Sequence, residues 1–302
     1  MRYQVKLSYD GADFCGWQIQ SGAATVQECL EKALSALLRK PVTVTGAGRT
    51  DSGVNAIGYV AHFDIEDVGA LEPSVLGYKL NAILPPSVVI HSVTPASPEF
   101  HARFDASQRK YTYFLHRLKD PFVEKYSLRR DWDLDFEAMN RAAALLVGRH
   151  DFACFQKTGT DVKTSVCTVT EAFWAPYEPT HVALMGFEPA ALGPESRCAS
   201  DSGKATLRGM LSEAQRLSCL ERTGWRYAYF RISADRFLRN MVRAVVGTLL
   251  EVGRGKRSVE DFATLVLPAG DGSAGPANLR SRAGDSVPGH ALFLSKVEYP
   301  AG

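Results

Sequence analysis

A chain of 302 residues with 45% hydrophobic and 23% charged residues carries enough apolar material for a sizeable core, which excludes an intrinsically disordered polypeptide and predicts one large domain or two intimate ones. The formal charge of +2 and the pI near 8.2 are too mild to identify an anionic partner on their own. No apolar run approaches the roughly 20 residues of a membrane span, and the opening MRYQVKLSYDG lacks the regions of a signal peptide, so the expected location is the cytoplasm.

Tyr3, Val5, Leu7 and Tyr9 alternate with Gln4, Lys6 and Ser8, the period of a half-buried strand that ends at Asp10-Gly11. Thr25 and Glu28 have the spacing of a capping box, and Val26, Leu30, Ala33, Leu34 and Leu37 then recur on one helical face until Pro41. Residues 42–45 read as a strand entering the stretch GAGRTDSGVNA, which runs from Gly46 to Ala56, and residues 59–63 as the strand leaving it. Pro73 suits the first turn of a helix reaching Leu84, followed by strands at 88–93 and 109–116 and a helix over 135–147 stopped by Gly148. Strands are also expected at 164–174, 225–232 and 291–297. The stretch 176–223, rich in Gly, Pro and Ser, reads as an insertion. Together these elements predict an α+β fold with a mostly antiparallel sheet, divided into halves at residues 1–105 and 106–302.

Charge is unevenly spread. Arg103, Arg109, Lys110, Arg117, Lys119, Lys125, Arg129 and Arg130 crowd one segment, and Arg226, Arg231, Arg236, Arg239, Arg243, Arg254, Lys256 and Arg257 another. The six cysteines show neither CxxC nor Cys/His spacing, so reduced thiols are expected and no metal site.

Three constellations carry chemistry. In residues 46–56, glycines at 46, 48 and 53 permit positive φ and close backbone approach, so that a bulky partner can reach Arg49, Thr50 and Asp51. If the chain is extended there, Arg49 and Asp51 point to one side, and the guanidinium orients a carboxylate that is either a nucleophile or a turn residue in a surface ion pair. In QRKYTYFL, Tyr111 and Tyr113 share one face of a strand; either both pack, or one ring stacks on a base with Lys110 near phosphate. In ADRFLRNMVRAVVGTLLEVGRG, Leu238, Met241, Val242, Val245, Val246, Leu249 and Leu250 form an apolar stripe, and Arg236, Arg239 and Arg243 recur at helical spacing. Those arginines form a solvated face, or Arg243 reaches a buried carboxylate. His150 and Asp151 in GRHDFACF read as polar structure at a helix end. The loop is not a phosphate loop, since it lacks GxxxxGK[ST], and the absence of HxE with PCxxC disfavours a base deaminase.

The segments YDGADFCGWQIQ with TVQECLEKAL, GAGRTDSGVNA, RKYTYFL, GRHDFACF, RFLRNMVRAVVGTLLEVGRG and ALFLSKVEYP, spread in order over nearly the whole chain, resemble the TruA family of tRNA pseudouridine synthases. The resemblance implies two ferredoxin-like α+β halves sharing a central antiparallel sheet, with a basic cleft between them. It implies a cofactor-free isomerase converting uridine to pseudouridine at positions 38, 39 and 40 of the tRNA anticodon arm, usually as a homodimer. It places the nucleophile on Asp51, the base-flipping arginine on Arg49, the active-site tyrosine on Tyr111 and the arginine paired with the carboxylate on Arg243. Lys110, Arg236 and Arg239 are the further candidates for substrate binding. Attack at C1′, attack at C6 of uracil and deprotonation of the sugar are all compatible with Asp51. Ser52, Asn55 and Ala244 depart from the family pattern, which bears on local RNA contacts. The rival readings are a synthase acting on another RNA and a tRNA-binding protein without catalysis.

Overall fold

In the computed structural model, which describes residues 1–65, 72–157, 159, 164–185, 225–268 and 279–300, the alternating N-terminal segment is β1 (Arg2–Tyr9). In chain order there follow α1 (Val26–Leu38), β2 (Val44–Gly46), β3 (Asn55–Asp64), α2 (Pro73–Ile83), β4 (Val88–Ala96), β5 (Gln108–His116) and β6 (Leu128–Arg129). Next come α3 (Phe136–Ala144), β7 (Gly148–Asp151), β8 (Val166–Pro176), α4 (Thr180–Met185), β9 (Tyr227–Ala234), α5 (Met241–Gly253), α6 (Val259–Ala263), β10 (Leu267–Pro268) and β11 (Leu292–Glu298). The strands make one sheet in the order β10-β7-β8-β9-β5-β11-β3-β1-β4, with β2 against β3 and β6 against β5. All pairs are antiparallel except β11 with β3 and β5 with β6, so the expected α+β, mostly antiparallel architecture holds.

The last strand joins the two strand sets. β11 runs parallel to β3, with Leu294 opposite Ala56, and antiparallel to β5, with Leu294 opposite Tyr111. Ala56, Leu294 and Tyr111 therefore form one row across three strands, which at about 4.8 Å per strand brings the end of the GAGRTDSGVNA segment within about 10 Å of Tyr111.

Helix α1 begins where the capping pattern places it, with the Thr25 hydroxyl accepting from the Glu28 amide. Its Leu30 and Leu34 are wholly buried, as are Leu76 and Leu80 of α2, Met139, Ala142 and Ala143 of α3, and Met241, Val245, Val246 and Leu249 of α5. Polar positions on α1 serve β2: Glu31 accepts from the Val44 amide and Gln27 donates to the Val44 carbonyl, satisfying a strand too short to satisfy itself.

Several boundaries differ from expectation. Helix α3 stops at Ala144, and Gly148, at φ +119°, opens β7, so His150 and Asp151 are strand residues paired with β8 and not a helix end. Four residues, a glycine and three polar side chains, are too few to show alternation. β3 starts at Asn55, four residues before the apolar run, because β11 pairs with its first turn of chain. Of the 176–223 stretch, Thr180–Met185 is helical and residues 186–223 lie outside the described residues. Cys154 and Cys167 are buried, Cys29 half-buried and Cys15 exposed, all free; Cys198 and Cys219 lie outside the described residues. Among the described residues no helix is long and apolar enough to cross a membrane.

Candidate active site

The segment between β2 and β3 is built from beneath by aromatic rings. Trp17 and Tyr59 stack with centroids 4.1 Å apart, and Tyr9 leans on both. A Cβ on Gly46 would come within 2.2 Å of the Tyr59 hydroxyl and 2.5 Å of the Trp17 ring, so only glycine lets the backbone lie on this platform. The platform then holds the loop residue by residue. Tyr59 donates its hydroxyl to the Gly48 carbonyl, Tyr9 and Thr50 share a buried side-chain hydrogen bond of 2.9 Å, and the Trp17 amide donates to the Thr50 carbonyl. Asp51 opens a turn closed by the Val54 amide on the Asp51 carbonyl, with Gly53 at φ +74° supplying the left-handed residue the turn requires. Gly46 and Gly48 do not take positive φ; the first serves close approach, the second neither.

Asp51 lines a cleft of about 1070 Å³, at the upper end of the ~300–1,000 Å³ usual for small-molecule sites. Six arginines (49, 103, 109, 236, 239 and 243) line it against two aspartates (51 and 235). The carboxylate meets Arg243, whose Nη1 donates to Asp51 Oδ2 at 3.3 Å, each side chain keeping 23% of its exposure. Arg243 is itself aimed by a second bond, Nε donating to the Val287 carbonyl at 2.6 Å. Tyr111 sits in the wall, 9% exposed, its ring edge-on to Phe237 at 5.0 Å. Burial, and after it the negative charge of Asp51, push the Tyr111 hydroxyl above its ordinary pKa, so it is a neutral phenol at physiological pH. Tyr113, by contrast, is wholly buried with its hydroxyl on the Pro288 carbonyl. One tyrosine packs and the other faces the cleft.

Other expected arrangements change. Arg49 is exposed and makes no hydrogen bond or ion pair among the described residues; it does not pair with Asp51, a role that falls to Arg243 alone. Helix α5 begins only at Met241, because Asn240 adopts a left-handed φ of +66°, so Arg236 and Arg239 precede the helix instead of sharing its face with Arg243. They line the cleft all the same. Lys110 does not: it lies one position out of phase with Tyr111 and pairs with Glu171 of β8 at 3.5 Å. Much of the remaining basic charge is also consumed internally, Arg117 by Asp133, Lys125 by Asp10, Arg257 by Glu251 and Asp261, while Arg130 and Arg254 lie over Trp132. Asn55 is 2% exposed and ties the Gly11 amide to the His290 carbonyl, and Ala244 is wholly buried, so neither departure from the family pattern is a surface for RNA; Ser52 is exposed. Among the described residues no group of three or more His, Cys, Asp and Glu side chains could hold a metal ion.

One contributor was hidden in the basic segment. The Arg109 guanidinium donates to the carbonyls of Ala47, Arg103, Ala106 and Asp235, three separate cleft-lining segments, and burial lowers its pKa. Its phase with Tyr111, two positions on, was the available signal.

The model of a family described as tRNA pseudouridine synthase matches residues 7–105 and 142–300. The chain belongs to that family. It is therefore an enzyme, an isomerase. It is 43% identical to the tRNA pseudouridine synthase A of Bacteroides thetaiotaomicron over 299 residues, 99% of this chain and 91% of that one. With the protein of the same description from Porphyromonas gingivalis it shares 41% over 301 residues, 99% and 98% of the two chains. A third so described, from Bacillus licheniformis, shares 34% over 303 residues and 99% of each chain. Both family-matched segments contribute to the cleft, the first with Asp51 and the second with Arg243.

Proposed function

We propose that the chain converts uridine to pseudouridine in the anticodon stem-loop of tRNA, at positions 38, 39 and 40, acting in the cytoplasm as a homodimer, without a cofactor and with Asp51 as nucleophile. The observation that carries this reading is the Asp51 carboxylate, on a loop held by its aromatic platform and bonded to Arg243 in a cleft lined by six arginines. Uracil must leave ribose C1′, turn and rejoin through C5, so the site has to retain a free base while a nucleophile manages the sugar or ring. An extruded nucleotide fits the cleft, and exclusion of water by the base strengthens the hold of Arg243 on the ionised carboxylate. Arg49 is free to take the place the uridine leaves in the RNA. Tyr111, kept as a neutral phenol, stacks on the base and donates a hydrogen bond; removal of the C5 proton then needs an acceptor beside it, and Asp51 is the carboxylate whose charge reaches it. Arg236 and Arg239 neutralise phosphates. Residues 1–105, carrying Asp51, and 106–302, carrying Tyr111 and Arg243, act as the two halves of the site.

The test combines two measurements. Pseudouridine is mapped on bulk tRNA from cells with and without the protein, and turnover is measured for purified Asp51→Ala and Asp51→Asn. Loss of the modification at these positions, and inactive variants that still bind tRNA and melt as wild type, are expected. Turnover retained by either variant removes Asp51 from its role, and unchanged maps remove the substrate.

A further inference from the structure

At the mouth of the cleft a large apolar ring stands in water on a rigid mount. Phe104 is 73% exposed and lines the cleft. The turn that presents it is closed at every point. The His101 amide donates to the Asp105 carboxylate at 2.7 Å and the Asp105 amide to the His101 carbonyl at 3.0 Å. The amides of Arg103 and Phe104 both converge on Nδ1 of His101, at 3.2 and 3.3 Å. Beneath, the wholly buried Ala102 is tied by its amide to His62 and by its carbonyl to the Tyr299 hydroxyl. Arg109 completes the mount by bonding the Arg103 carbonyl and, through the same Nη2, the Ala47 carbonyl of the Asp51 loop. The backbone that carries the ring is thus tied to the Asp51 loop, and the ring itself has the His101 ring at 4.2 Å and the Arg103 guanidinium 5.5 Å from its centroid.

We propose that Phe104 is a stacking platform for a nucleobase of the tRNA neighbouring the uridine that enters the cleft. The chemistry of the surroundings selects this occupant. Arg49, Arg103, Arg236 and Arg239 line the cleft with no hydrogen bond or ion pair from their side chains among the described residues, a field that favours a polyanion over an apolar protein surface. Extruding a uridine also removes one stacking partner from each neighbour, and a ring fixed at the mouth replaces it. The inference rests on the reading of this chain as a tRNA pseudouridine synthase.

Equilibrium binding of an unmodified tRNA transcript at fixed salt is compared for wild type, Phe104→Ala, Phe104→Leu and Phe104→Trp, with Tyr78→Ala, exposed on α2 away from the cleft, as control. Alanine is expected to weaken binding about tenfold, within the roughly 5- to 150-fold that loss of one stacked base brings, leucine to recover little, and tryptophan to come within about twofold of wild type. The salt slope should not change, since no charge is removed. Alanine binding like wild type, or leucine rescuing as well as tryptophan, overturns the stacking role and leaves the ring to a protein contact. Pseudouridine formation by wild type on the same transcript separates the two levels: an active wild type with an indifferent Phe104 sinks only the platform, whereas an inactive wild type sinks the reading beneath it.

Discussion

Removing Arg243 is the sharpest perturbation of the site, because its two bonds face opposite ways, one to Asp51 and one to the backbone at Val287. An exposed ion pair is worth about 0–1 kcal/mol, while stranding one member of a fully buried pair costs about 3–5 kcal/mol. Here each side chain keeps 23% of its exposure and the contact is a single bond at 3.3 Å, so the pair lies between those limits, at about 1–3 kcal/mol. If that energy is realised in the transition state, Arg243→Ala lowers the rate about 5- to 150-fold. Arg243→Lys should fall between, since one ammonium can serve Asp51 or the Val287 carbonyl but lacks the planar fork that serves both. The assay is single-turnover pseudouridine formation at saturating tRNA, run beside urea unfolding so that a rate defect can be told from a folding defect. An alanine variant as fast as wild type would refute the argument and return Arg243 to a structural role.

Association with tRNA should weaken steeply with salt: four arginines of the cleft (49, 103, 236 and 239) make no side-chain hydrogen bond or ion pair among the described residues, which gives a log–log slope of about −3, and a slope near zero would show that they meet no phosphate. Chelator should leave both binding and turnover unchanged, and activity lost to chelation and restored by zinc would contradict that expectation. A third prediction concerns acid stability. Burial lowers His62 to about 4, and its Nδ1 accepts the Ala102 amide, so the native state holds it neutral. Below its ordinary value near 6.5 the unfolded chain binds a proton that the folded chain refuses, so this contribution is complete above pH 6.5 and is lost as pH falls towards 4, by about 1–3 kcal/mol. His62→Asn, whose side-chain carbonyl can still accept the amide, should flatten the pH dependence of unfolding in that window; an unchanged profile would show that His62 is not responsible.

Long periodic segments were legible in the sequence because one physical signal governed each. The N-terminal strand alternates through its length, and α1 announces its start with a capping side chain and its face with five apolar positions. Where two signals competed, the boundary moved. Arg236 to Arg243 carry helical spacing, yet the left-handed Asn240 breaks the chain between them, and Asn is the non-glycine residue for which that conformation costs least. The short β7 and β10 gain their place only from partners along the sheet, so no local pattern announced them.

The site shows the same division more clearly. Asp51 could be found from its own loop, because the glycines on either side mark close approach and a tight turn. That it meets Arg243 is a consequence of β11, whose parallel register with β3 and antiparallel register with β5 aligns Ala56, Leu294 and Tyr111. A slip of one residue would turn every side chain of β11 to the other face and carry the Val287 carbonyl away from Arg243. Asn55 guards that register from the first residue of β3, bonding Gly11 on one side and His290, just before β11, on the other. As a departure from the family pattern it bore on local RNA contacts, but a side chain 2% exposed with both ends of its amide engaged has nothing left to offer a ligand. Substitutions at Asn55 should therefore act on the candidate site through the placement of β11, and through the Val287 carbonyl that aims Arg243 at Asp51.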